Sequence, residues 1–310
     1  MKLRFNISLI MLLFIFFSLY QAQEKKDKSD FPVLKGPYLG QKPPGMTPEI
    51  FAPGIVSTDL PEFSCCVSPD AREIYFTRWI PKFRSSRIMF TYLTDTGWIK
   101  PEVLPQIADI QNLEPTMLPD GSKLFFGVWE YAENLEEPSF KIQYLARTDT
   151  GWTGPFELGH PFNKGKVMYL TVARDGTVYT SDISAGQGSE RLVRACQVNG
   201  QYTDLKPVGS PIDAISGALY PCIAPDQSYL LFSAPRKSGN NNGLFISFML
   251  SNMTWSNPVE LATGFREVAQ PWITLDGKYI FFTVIPSPRE GNIFWVDARI
   301  TEQFRLENLK

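Results

Sequence analysis

Residues 63–77 read FSCCVSPDAREIYFT: an apolar run, a Ser-Pro-Asp turn, and a second run ending in Tyr75-Phe76. Short apolar runs bounded by turn formers are strand signals, and Asp suits the turn because its carboxylate accepts from nearby backbone N–H groups. The same unit returns as EPTMLPDGSKLFFG (114–127), YLTVARDGTVYTS (169–181), YPCIAPDQSYLLFS (220–233) and QPWITLDGKYIFFT (270–283). The turn residues Asp70, Asp120, Asp175, Asp226 and Asp276 lie 50, 55, 51 and 50 residues apart. A strand–turn–strand unit repeated at this period predicts an all-β fold, a β-propeller of about five four-stranded blades. Six blades is the alternative, but the sixth would have to come from residues 24–45, which carry no repeat.

Each copy continues in the same way. A variable loop leads to a third strand, such as RIMFTYL from Arg87 or NIFWVDA from Asn292, and then to a fourth segment opening on an aromatic residue. Trp98, Trp152, Tyr202 and Trp255 share that slot, and one large ring per blade is expected to seal each blade against its neighbour. The segment MTPEIFA (46–52) resembles a fourth strand but precedes the first blade, while the last blade lacks one. The two chain ends are therefore expected to complete one sheet, which removes an open edge.

Composition narrows the function classes. Net charge is −2 with no block of like charge, which argues against nucleic acid as a partner. Lys2 and Arg4 precede a nearly unbroken apolar run, Ile7–Leu19. At about 13 residues it is shorter than the roughly 20 needed to cross a bilayer. This is the pattern of an export signal over residues 1–23. The chain is then expected to be periplasmic or extracellular, with no membrane span once the signal is removed. Residues 24–45 read as a polar, Pro-rich linker and 46–310 as a single propeller domain. The four cysteines show no CxxC spacing and His160 is the sole histidine, so no metal or cofactor is expected. Cys65 and Cys66 are adjacent in one strand and point to opposite faces; unpaired, buried thiols are expected.

The SPDxxxIYF pattern, an Arg/Lys/Asn-led third strand and a W-x-x-P fourth segment resemble the WD-like propeller repeats of exported bacterial proteins. The TolB propeller is the best-known bearer, and that of prolyl oligopeptidases is similar. The likeness covers about residues 48–298, and five agreeing copies make it specific for fold. Ala71 and Gln227 depart from it where Gly is usual, and the third copy's turn is one residue shorter. The resemblance implies a propeller. It implies no single function, since such folds host many.

Function is sought where the copies disagree. Three, five and seven residues before each Asp, every position is apolar, Cys or Pro. Six before it stand Ser64, Glu114, Tyr169, Tyr220 and Gln270, and four before it Cys66, Thr116, Thr171, Cys222 and Trp272. Strict alternation would put these two sets on one face, bordering the central channel. Glu114, Tyr169, Tyr220, Gln270 and Trp272 are then candidate ligand residues for a sugar or peptide segment. The loops after the second strands add Arg78, Trp129 and Arg236, beside Trp79, Lys82, Arg84, Lys237 and an acidic run Glu130, Glu133, Glu136 and Glu137. No catalytic residue is assigned: the five Asp residues are turn formers, and no nucleophile motif appears. These features favour an exported, non-catalytic scaffold binding a protein or glycan. The alternative is a glycosidase-like enzyme, which needs two facing carboxylates.

Overall fold

A computed structural model describes residues 31–130, 139–163, 166–237, 241–287 and 290–308. Five four-stranded antiparallel sheets form five blades, the first four running outward from the axis in chain order. Blade 1 comprises Glu62–Val67, Glu73–Ile80, Ser85–Tyr92 and Glu102–Val103. Blade 2 comprises Asn112–Met117, Lys123–Glu130, Ser139–Thr148 and Gly151–Glu157. The innermost strands of blades 3, 4 and 5 are Val167–Val172, Leu219–Ile223 and Val268–Ile273.

The turns form as their chemistry dictates. Each Asp side chain accepts the backbone N–H two residues on, from Arg72, Ser122, Thr177, Ser228 and Lys278, at 2.8–3.1 Å. The residue after each Asp is left-handed, including Ala71 (φ 56°) and Gln227 (φ 60°) where glycine is absent.

Blade 5 closes across the chain ends. Glu49 and Ile50 pair with Trp295 and Phe294, supplying the outermost strand from the N-terminal side. Phe51 then packs edge-on against Phe281 (4.9 Å) and against Trp295 (5.1 Å), fully buried. Residues 31–45, expected from composition to be a linker, lie along blades 1 and 5. Tyr38 and Leu39 are buried, Trp98 donates through Nε1 to the Gly36 carbonyl (2.7 Å), and Asp297 N donates to the Gly45 carbonyl (3.0 Å).

The repeated aromatic does seal blades. Trp152 of blade 2 donates through Nε1 to Tyr75 Oη of blade 1 at 2.9 Å. The Arg147 guanidinium lies 3.8 Å over the same indole and holds Glu73 of blade 1 through two bonds of 2.8 and 2.6 Å. Trp255 of blade 4 donates to the Val208 carbonyl, and Tyr202 meets Phe162 edge-on at 5.0 Å. The four cysteines are unpaired thiols, three of them buried. Among the described residues no helix is long and apolar enough to cross a membrane.

Strict alternation does not hold along the innermost strands. Every innermost strand carries a bulge, with a register shift between Phe63 and Cys65, Leu113 and Thr116, Met168 and Leu170, Leu219 and Cys222, and Ala269 and Trp272. The bulge breaks strict alternation. Phe63 pairs with Thr77 and Cys66 with Tyr75, so Phe63 shares a face with Cys66 rather than with Cys65 and Val67. The residues seven before each Asp are thereby moved off the face assigned to them by alternation.

In three blades a hydroxyl on the second strand of the preceding blade receives the bulge N–H. Ser64 N donates to Thr283 Oγ1 (3.0 Å), Glu114 N to Thr77 Oγ1 (2.9 Å) and Tyr220 N to Ser181 Oγ (2.9 Å). Thr77→Val keeps the shape and deletes the acceptor, leaving a buried N–H unpaired. Chemical denaturation should show a loss of about 1–3 kcal/mol, larger than that from the same change at exposed Thr96, whose hydroxyl serves a surface turn.

Candidate functional site

The bulge decides what faces the axis. Ser64, Glu114, Tyr169, Tyr220 and Gln270 are all left-handed, with φ between 49° and 59°. Non-glycine residues adopt this conformation at a cost of about 1–2 kcal/mol, so it persists where surrounding structure enforces it. A hydroxyl of the preceding blade holds this conformation at Ser64, Glu114 and Tyr220, and the same left-handed backbone recurs at Tyr169 and Gln270, so the five side chains are turned inward as one ring.

The ring is bonded across the axis. Gln270 of blade 5 donates through Nε2 to Glu114 Oε1 of blade 2 (3.0 Å) and accepts at Oε1 from Thr283 (3.0 Å). Tyr169 of blade 3 donates through its hydroxyl to the Pro271 carbonyl of blade 5 (2.5 Å) and meets Tyr220 edge-on at 5.4 Å. Cys66, Thr116, Thr171, Cys222 and Trp272 are also buried; Cys66 and Trp272 pair across the strand with Tyr75 and Phe281 and join the hydrophobic core.

Glu114 is the one carboxylate among the five ring positions. Burial pushes its carboxyl up to about 7, and the Gln270 amide and the Tyr169 backbone offset that only in part. Its Oε2 has no hydrogen-bond partner among the described residues. Burial also drives the Tyr169 and Tyr220 phenols far above their ordinary range, with Glu114 adding to both. Glu190 and Glu267 act on Tyr220 as well.

Thus Glu114, Tyr169, Tyr220 and Gln270 are brought together around the axis, whereas Trp272 packs against its cross-strand partner Phe281 in the hydrophobic core. Arg78, Trp129 and Arg236 stand elsewhere. Arg78 donates to buried Glu62 (2.7 Å) and to the carbonyls of Ile55 and Val56, tying the N-terminal segment to blade 1. Arg236 is held by Glu260 (2.6 Å) and by the carbonyls of Phe265 and Arg266. Trp129 is half-buried on blade 2 against Phe140. His160 Nε2 lies 3.1 Å from Asp204 Oδ1 at the surface. Glu133, Glu136 and Glu137 lie outside the described residues.

A cleft of about 860 Å³ opens beside the ring between blades 1 and 5. Gln270 and Thr283 form part of its lining, with Phe63, Pro61 and Ile285 as apolar wall and Trp79 at the rim, 40% exposed. Arg84 and Glu290 are its charged residues. Its volume, apolar wall and few polar groups are those of a ligand pocket. Phe63 escaped the sequence reading because alternation placed it between blades. A signal existed: Pro115, Pro221 and Pro271 sit inside innermost strands, where proline is tolerated at bulges. No group of three or more metal-ligating side chains occurs among the described residues.

No protein-family model and no curated protein sequence matches the chain. Solved structures do resemble it. The catalytic domain of the GH62 α-L-arabinofuranosidase of Coprinopsis cinerea is 14% identical, with a TM-score of 0.53 over 82% of this chain and 97% of that one. An endo-arabinase from Bacteroides thetaiotaomicron is 12% identical, with a TM-score of 0.52 over 77% and 94%. TolB from Acinetobacter baumannii is 15% identical at a TM-score of 0.49; 78% of this chain aligns, spanning 55% of TolB. Likeness at such identities concerns the fold alone.

The Glu114 carboxyl titrates near 7 when folded against an ordinary 4.5. The folded state therefore binds the extra proton between these values, and stability falls as pH rises from about 4.5 to 7 and then levels off. The shift corresponds to roughly 3 kcal/mol. Glu114→Gln should remove this component, so that denaturation midpoints at pH 5 and pH 8 differ less in the variant than in the parent.

Proposed function

We propose that this chain is an exported, non-catalytic binding propeller whose ligand seats in the cleft between blades 1 and 5. The carrying observation is the division of labour at the channel mouth. The ring carboxylate is engaged by Gln270, while the adjoining 860 Å³ cleft presents the exposed Trp79 indole. Export rests on the basic start and short apolar run of residues 1–23. A rigid sheet scaffold with variable loops at one end suits recognition. Large rings supply contact area at little entropic cost, and exposed Trp is a common anchor at binding surfaces.

A glycosidase-like reading has one observation in its favour: a buried carboxyl near 7 with an unpartnered oxygen resembles a general acid. It needs a second carboxylate about 5–9.5 Å away. Glu190 and Glu267 flank Tyr220, but Glu190 accepts from Gly188 N and Glu267 holds Asn242. Solved structures that resemble the chain include an arabinofuranosidase and an endo-arabinase, so the enzymatic reading stands beside the binding one and a turnover assay separates them.

The purified chain should be screened by calorimetry against oligosaccharides and peptides, and its products followed by chromatography. Saturable binding without turnover is expected, weakened at least tenfold by Trp79→Ala. Turnover that Glu114→Gln abolishes would replace this reading with the enzymatic one.

A further inference from the structure

The mouth holds a second cleft, of about 410 Å³, lined by Trp129, Phe140, Lys166, Met168, Glu190 and Leu219. It lies between blades 2, 3 and 4 and draws on the same repeat positions as the first. Trp79 and Trp129 each stand nine residues past their turn Asp, on neighbouring blades. Phe63 in the first cleft and Met168 and Leu219 in the second each stand seven before theirs. Both clefts therefore open at the same end of the axis. Trp129 is held in place by Phe140, edge-on at 4.9 Å. The Phe140 ring in turn occupies the space above Gly127, where a Cβ would come within 2.2 Å of Cζ.

We infer that the two clefts are subsites of one site for a neutral oligosaccharide laid across the channel mouth, with one sugar ring on Trp79 and another on Trp129. The inference rests on reading the first cleft as a ligand site. Three features select the ligand class. Each cleft is lined by one cation and one anion, Arg84 with Glu290 and Lys166 with Glu190, so neither favours a charged chain. Between the ring and the first cleft, Gln270 uses one amide hydrogen on Glu114 and one lone pair on Thr283. A primary amide has one more of each, which matches a hydroxyl that both donates and accepts. An extended peptide would instead seek an open strand edge. The innermost edges here are engaged: bulge N–H groups are taken by Thr77, Ser181 and Thr283, and Thr171 bonds the Pro221 carbonyl and Ile223 N.

The test is calorimetric titration of the full chain with neutral β-1,4-glucan, β-1,4-xylan, α-1,4-glucan and α-1,5-arabinan oligomers of two to six units. An acidic oligogalacturonate and a proline-rich peptide complete the panel. At least one neutral series should bind, with Kd falling tenfold or more from dimer to hexamer. Trp129→Ala should erase that length dependence while leaving dimer binding at Trp79. Gly127→Ala, which displaces Phe140, should reproduce the effect in a protein whose circular dichroism is unchanged. A ligand that needs Trp79 but ignores chain length and Trp129 would overturn this inference and leave the first cleft standing. Binding of the acidic oligomer or the peptide in place of neutral sugars, or of no neutral series, would overturn it too. Ligands indifferent to Trp79 would overturn both readings.

Discussion

Five innermost strands converge on one axis, and none has a strand partner on its inner side. Backbone groups buried there must find other partners or be absent. The chain does both. Hydroxyls from preceding blades accept the bulge N–H of Ser64, Glu114 and Tyr220, and the Tyr169 hydroxyl reaches the Pro271 carbonyl. Pro115, Pro221 and Pro271 remove the neighbouring N–H altogether. The left-handed bulge makes this geometry available in all five blades, and it sets the direction of every side chain that meets the axis.

Function is constrained by that solution. A ring bonded to itself across the axis places a carboxyl where ionisation is unfavourable near neutral pH. In the proposed binding function the recognising surface is the mouth, where residues displaced by the bulge and residues at the ends of the second strands form the walls. Phe63, Met168 and Leu219 come from the first group and Trp79, Trp129 and Ile285 from the second. Fold and site thus share one cause.

Contacts of the N-terminal segment and between neighbouring blades tie the ring together. The N-terminal strand binds the last blade to the first turn of the chain, and Tyr38 packs against Tyr279 and Trp295 at 5.2 and 5.4 Å. Between blades 1 and 2, the Glu73–Arg147 pair and the Arg147–Trp152 stack act on one surface. Arg78 and Arg236 belong to this framework. Their guanidinium groups hold carbonyls of connecting segments, an arrangement that a list of loop charges does not reveal.

The opening repeat, FSCCVSPDAREIYFT, is legible as two strands and an Asp turn because strand propensity and turn capping are local. The blade count, the aromatic slot and the closure of the last blade by residues 49–50 follow from the same periodicity. The inner-ring candidates were legible as well, since the copies differ at that position while agreeing around it. What the linear order does not contain is the set of partners. Gln270 lies 156 residues from Glu114 and Pro271 lies 102 from Tyr169, and these bonds exist because five blades close on one axis. The change of face at the bulge was likewise a tertiary matter. An added residue in a strand reverses every later side chain, and the edge that requires it exists only once the ring is formed.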